Sequence, residues 1–198
     1  MATTYADLKT EIAAFYHRND LTTYLDTFID LCEAEMQRKI KLLEFETTST
    51  VTVTAGSGSL PTGFIGARTL SWDGSPDRVL TYVTPDRLET VNARSPSYVS
   101  FYTITGSTIK FANDADGTLN LTYLAKFTPL SSVATSNAIL LSHPAAYLYG
   151  SLIHAAVYCK DTEGAMGYKT LFEAEIDEIN KDNQDKKYGG AALQVRAA

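Results

Sequence analysis

Nothing in this 198-residue sequence is apolar for the roughly 20 consecutive residues that a membrane-crossing helix needs. Residues Met1 to Thr10 also lack the basic-then-apolar layout of a secretory signal. The chain is therefore expected to be made in the cytosol and to stay there, or in something assembled there, with no membrane partner. Basic charge is scarce: 17 Lys and Arg stand against 23 Asp and Glu, a formal charge of −6. Tight nucleic-acid binding needs clustered cations that release counterions, so the charge argues against it, although not against surrounding DNA without gripping it. Cysteine is limited to Cys32 and Cys159, each on the apolar side of an expected helix, which reads as two buried free thiols and not a disulfide framework. The three histidines, His17, His143 and His154, are scattered, with no HExxH and no Cys/His cluster, so neither a metal nor a cofactor is expected. The glycines of "GSGSLPTG" (56–63) lack the Gly-Lys-Ser/Thr ending of a phosphate loop, and no G-x-S-x-G elbow occurs. "NDADG" (113–117) lacks the closing glutamate of a calcium loop and reads as a hairpin turn.

What is present is an alternation of two textures. Tyr5, Leu8, Ile12 and Phe15 recur at helical spacing over 4–18, with Thr4 and Asp7 as a capping pair. A second helix over 22–44 puts Leu25, Phe28, Ile29, Cys32, Met36, Ile40 and Leu43 on one stripe; Asp26, Asp30, Glu33, Glu35, Arg38, Lys39 and Lys41 fall on its other face. From Glu46 the pattern changes. "TTSTVTVT" (47–54) alternates as a half-buried strand does. "FIGARTLSW" and "DRVLTYVT" flank the turn "DGSP" as a hairpin, and "TPDRLETV" (84–91) reads as a short helix with Thr84 as cap and Pro85 in its first turn. "SYVSFYTIT", "STIKFA" and "TLNLTYLAKF" then predict an antiparallel meander. Helix returns with Ser142 as cap and Pro144 in the first turn, running to about Lys160. A last helix to about Asp182 carries Ala165, Tyr168, Leu171, Phe172, Ile176 and Ile179 inward.

The fold class predicted is α+β: a helical bundle of N- and C-terminal helices with an inserted antiparallel β-sheet domain of five or six strands. The boundaries expected are 1–45 and 131–182 for the helices, 46–130 for the sheet, and 183–198 for an aperiodic, flexible tail.

Candidate chemistry is thin. Glu33 with Glu35, or Asp26 with Asp30, could form the acid/base pair of a glycoside-cleaving enzyme, but Asp26, Asp30 and Glu33 fall on the polar face, where carboxylates are ordinarily just solvated. His154, between Gly150 and Ala155-Ala156, suggests a close helix contact more than proton transfer. Trp72, the one tryptophan, and Tyr82 would be the stacking surface of a sugar- or protein-binding module, or a core plug. Tyr98, Tyr102, Tyr123, Tyr147, Tyr149, Tyr158 and Tyr168 exceed what one core of this size requires. Rings with a polar tip suit interfaces between proteins, and equally the edge of a core.

Several stretches in fixed order resemble the head-to-tail adaptor (connector) proteins of short-tailed bacteriophages, the class that includes the tail-tube-A-like proteins. They begin with "TYADLKTEI" and "YLDTFIDLCEAEMQRKIK", where Phe28, Ile29, Glu33 and Arg38 match, and continue with Leu60-Pro61. They are clearest in "LTYLAKFTPLS…NAILLSHPAAYLYGSLIHAAVYCKD", followed by Tyr168 and Phe172. Ala112-Asn113 departs from relatives that carry proline there, which bears on a loop only.

The resemblance implies a virion structural protein of the neck or tail, with no catalytic residue. It implies docking on a portal protein, further copies in a twelvefold ring, and a DNA channel without specific binding. It also implies a surface for the next tail or nozzle protein. Its portal and ring contacts would draw on Tyr147, Tyr149, His154, Tyr158 and Tyr188. In relatives the C-terminal segment reaches the portal, which would place Leu193, Val195 and Arg196 there.

Overall fold

The computed structural model describes residues 1–16, 20–40, 45–72, 78–94 and 99–188. The "DGSP" turn, Tyr98, Leu43, Leu193, Val195 and Arg196 lie outside the described residues. The chain divides into two compact units, residues 1–43 with 127–198 and residues 44–126.

The first unit begins with α1 (Tyr5–Tyr16) and α2 (Leu25–Lys39). Thr4 and Asp7 cap α1 reciprocally: the Asp7 N–H donates to Thr4 Oγ1 and the Thr4 N–H to Asp7 Oδ2, each at 3.2 Å. The α2 stripe buries Leu25, Phe28, Ile29, Cys32 and Met36, and Glu33 with them. Extended backbone at Ile40 ends this helix short of the predicted 44. Phe15, predicted inward, is half exposed.

The second unit holds β1 (Glu46–Thr54), β2 (Ser57–Ser59), β3 (Phe64–Trp72), β4 (Arg78–Val79), β5 (Thr81–Tyr82), α3 (Pro85–Asn92), β6 (Phe101–Thr105), β7 (Thr108–Phe111) and β8 (Gly117–Ala125). The order across the sheet is β4-β3-β8-β1-β2-β7-β6-β5. Three expectations need correction here. First, the sheet is mixed and has eight strands, because β5 runs parallel to β6. Second, the meander is not formed: β7 and β8 are separated by the β1–β2 hairpin, since β8 pairs with β1 and β3 while β7 pairs with β2 and β6. The long β1–β8 ladder sets Val51 opposite Leu119 and buries both, which outweighs the shorter local turn. Third, part of "GSGSLPTG" is strand. Ala55 and Gly56, at φ +48° and +67°, make the two-residue turn that lets β2 fold back on β1.

The two edge strands are consecutive in the chain. Residues 78–82 pair with β3 through β4 and with β6 through β5. The Leu80 N–H donates to the Leu70 carbonyl (3.3 Å) and the Thr81 N–H to the Ser100 carbonyl (3.0 Å). The sheet therefore curls until both ends meet on one broken strand, which removes most of the free edge. On the remaining edge of β3, two register shifts, between Phe64 and Gly66 and between Ala67 and Thr69, leave Ile65 and Arg68 out of the ladder and discourage a stray partner. Val51, Val53, Leu70, Leu80, Ile109, Phe111, Leu119 and Leu121 fill the interior. At α3, Pro85 occupies the first turn as predicted, but the Thr84 side chain makes no capping bond.

The chain returns to the first unit with α4 (Ala138–Ser142), α5 (Pro144–Tyr158) and α6 (Thr162–Tyr188). Ser142 is not the predicted cap: it ends α4, and His143 separates the two helices, leaving Pro144 in the first turn of α5. α6 runs on to Tyr188, past its expected end near 182, and Leu171 faces outward at 45% exposure. Helix α5 is central, packed by α1, α2, α4 and α6. Any Cβ on Gly150 would strike Cys32 Sγ and the Phe172 ring, so glycine is what lets α2, α5 and α6 meet there.

Candidate functional site

The α5 sequence alternates small residues with rings, and the small ones (Ala146, Gly150, Ser151, Ala155, Ala156) are buried. Among these small side chains there is interior room for the ring of Tyr147, which is completely buried. Its hydroxyl donates to Glu33 Oε1 at 2.8 Å, and the Leu130 N–H donates to the same oxygen at 2.8 Å. The Asn137 amide donates to the Tyr147 oxygen (2.6 Å) and to the Thr128 carbonyl (3.0 Å), while its own oxygen caps α4 by accepting from the Leu140 N–H (2.9 Å). One carboxyl thus joins α2, α5 and the connection 127–137.

Glu33 is 5% exposed, so its expected place on a solvated face is wrong. Burial pushes its carboxyl above the ordinary range; the two hydrogen bonds oppose that rise and the Asp30 charge adds to it. Burial, helped by the Glu33 charge, likewise holds the Tyr147 hydroxyl far above the ordinary phenol range.

This geometry does not make a hydrolytic pair. Glu33 faces a tyrosine and a backbone amide, and Glu35 is ion-paired to Lys39 at 2.7 Å along the same helix. Trp72 stands edge-on to Phe111 at 5.1 Å and lies against Gly117, where a Cβ would meet its ring at 2.5 Å, so it is a plug and not a stacking platform. Tyr82 is half exposed and edge-on to Tyr102. A groove of about 910 Å³ runs along α1 past Ala6, Thr10, Ala14 and Thr135. On its rim, Asp26 is held by Lys9 (2.6 Å) and the Tyr5 hydroxyl (2.7 Å), which keep its carboxyl below the ordinary range.

Of the residues predicted for portal and ring contacts, Tyr147 presents no surface. Tyr149 and His154 are half-buried. His154 Nε2 is buried without a hydrogen-bond partner among the described residues, and burial lowers its pKa, against a weaker pull from Glu35, so a neutral packed imidazole is favoured. Tyr158 is 46% exposed and packs against Tyr24 (centroids 4.7 Å) and Phe28 (5.8 Å). Tyr188 ends α6; its side chain is outside the described set, as are Leu193, Val195 and Arg196. Sequence reasoning missed Tyr24, the other half-exposed member of this ring pair. Its signal was its place one residue before the α2 stripe begins.

Cys32 is buried, with Sγ 3.9 Å from the Ala146 and Tyr147 carbonyls, and burial raises its thiol pKa far above the ordinary range. Cys159, also expected buried, is half-buried and closes α5. Among the described residues, no three His, Cys, Asp or Glu side chains gather to hold a metal. No helix there is long and apolar enough to cross a membrane.

No curated protein matches the sequence. The family model described as SU10 adaptor protein matches residues 3–196, and the chain belongs to that family.

Proposed function

We propose that this adaptor joins head to tail in a phage virion: it docks on the portal ring, closes with further copies into a twelvefold ring, and extends the DNA channel without gripping the DNA. It would be made in the host cytoplasm and would offer its free surface to the next tail or nozzle protein. The observation that carries this reading is the apolar surface of the helical unit. Tyr24 and Tyr158 pack ring on ring, tilted by 35°, while half exposed, and Leu31, Val157, Met166 and Leu171 are exposed as well. Uncovered rings and aliphatic side chains supply apolar surface for a neighbour, and a ring needs two different adhesive faces on each subunit. Tyr147, being fully buried, leaves the proposed interface and Tyr24 joins it. Tyr149, His154, Tyr158 and Tyr188 remain in it. The family resemblance adds Leu193, Val195 and Arg196 as portal contacts. A net charge of −6 suits a conduit along which DNA slides.

The test is sedimentation of the chain with its portal. The intact protein should co-sediment as a ring. A Tyr24→Ser/Tyr158→Ser variant with unchanged circular dichroism, and a chain lacking residues 189–198, should each bind at least tenfold more weakly. Equal binding by both would overturn the assignment, as would clearing of purified cell walls that Glu33→Gln abolishes.

A further inference from the structure

The connection 127–137 carries the chain from β8 back to the helices without joining any ladder. Ser131 closes a tight turn with Ala134: its N–H donates to the Ala134 carbonyl and its Oγ accepts from the Ala134 N–H, both at 2.9 Å. The turn's tip, Val133, is 92% exposed. Phe127 and Leu130 are its buried apolar anchors. Its polar ties to the surrounding helices converge on one place. Leu130 donates to Glu33, and Thr128 accepts from Asn137, whose amide also reaches Tyr147 and through it Glu33. At the far end the Tyr5 N–H donates to the Thr135 carbonyl at 2.7 Å. A segment with exposed backbone and few anchors opens more readily than the helices beneath it.

We propose that residues 127–137 form a strap that opens as one unit, with the buried Glu33 carboxyl as its latch. Opening the strap lets water reach that carboxyl and frees the Leu130 amide, while α2 and α5 stay packed where Phe28 meets Tyr158 and Cys32 meets Gly150. The ionisable groups that face the latch are Asp30 and Cys32 on α2, Tyr5 on α1 and Tyr147 on α5. The strap itself carries no ionisable side chain, so the set holds no cation to stabilise the charged form.

The direction of the pH response follows. Burial raises the Glu33 carboxyl more than the strap's own Leu130 N–H lowers it. An opening that wets the carboxyl returns it toward the ordinary range, so on this proposal the closed strap favours the protonated form. It is held most firmly below the ordinary carboxyl range and loosens as pH rises through the raised value. This behaviour needs no portal and stands apart from the assembly reading.

Hydrogen exchange on the intact chain tests it, with protection corrected for intrinsic rates between about pH 4 and pH 8. Protection at Leu130 and its neighbours should fall severalfold as pH rises, while the amides of Leu152 to Ala156 hold theirs. Glu33→Gln keeps the accepting oxygen and removes the titration, so its profile should be flat. Tyr147→Phe should loosen the strap and leave α5 unchanged. Superimposable profiles for the wild type and Glu33→Gln would overturn the proposal. So would equal loss of protection in α5 and the strap, because Glu33 would then be an ordinary part of the core.

Discussion

The two units invert each other's use of polar and apolar groups. In the sheet unit, Val51, Leu70, Ile109 and Leu121 meet with no charged side chain among them, and Thr48, Thr50 and Thr52 face outward. In the helical unit a carboxyl, a phenol and an amide are drawn inward together, while Tyr24, Val157, Tyr158 and Met166 are left outside. A barrel that closes on its own broken strand satisfies its backbone and most of its apolar surface by itself. A helical unit that buries polar groups and exposes rings is more specific inside and less complete outside. The contrast teaches where assembly should act: on the helices, with the sheet as a finished part.

That contrast can be broken unit by unit, since Trp72 is the only tryptophan and its fluorescence reports the sheet alone. Glu33→Ala should have the largest effect, about 3 kcal/mol, because it strands the Tyr147 hydroxyl and the Leu130 N–H in a buried place. Urea titration followed by helical dichroism should show the loss, with the Trp72 transition hardly moved; a shared shift would mean that the units unfold as one. Gly150→Ala should cost about 2 kcal/mol in the same helical transition, since the methyl would strike Cys32 and the Phe172 ring. In the sheet, Ala55→Gly should stabilise by about 0.5 kcal/mol, because φ +48° disfavours a residue with a Cβ. Here Trp72 should report the gain while the helical signal stays put.

Local chemistry was legible in the sequence. The Thr4/Asp7 cap, the α2 stripe, the alternation of β1, and Pro85 and Pro144 in first turns all depend on neighbours a few residues away, and each is found. What failed to show depends on distant partners. Nothing within 78–82 says that its two halves pair with opposite ends of the sheet. β2 is Ser-Gly-Ser, which is strand only because β1 and β7 flank it, and a Cβ on Gly58 would crowd Val51 at 2.7 Å. Glu33 sits beside the apolar stripe, four residues after Ile29 and three before Met36. The donors that justify its burial arrive only with Leu130 and Tyr147. An isolated helix offers no way to tell such a glutamate from a solvated one.

Oxidative footprinting of the tyrosines, with and without the portal ring, tests the central contrast most directly. Tyr24 and Tyr158 should become protected when the portal is added, with half-exposed Tyr82 of the sheet unit unchanged. Protection of Tyr82 with Tyr24 and Tyr158 still reactive would contradict the assignment of assembly to the helical unit.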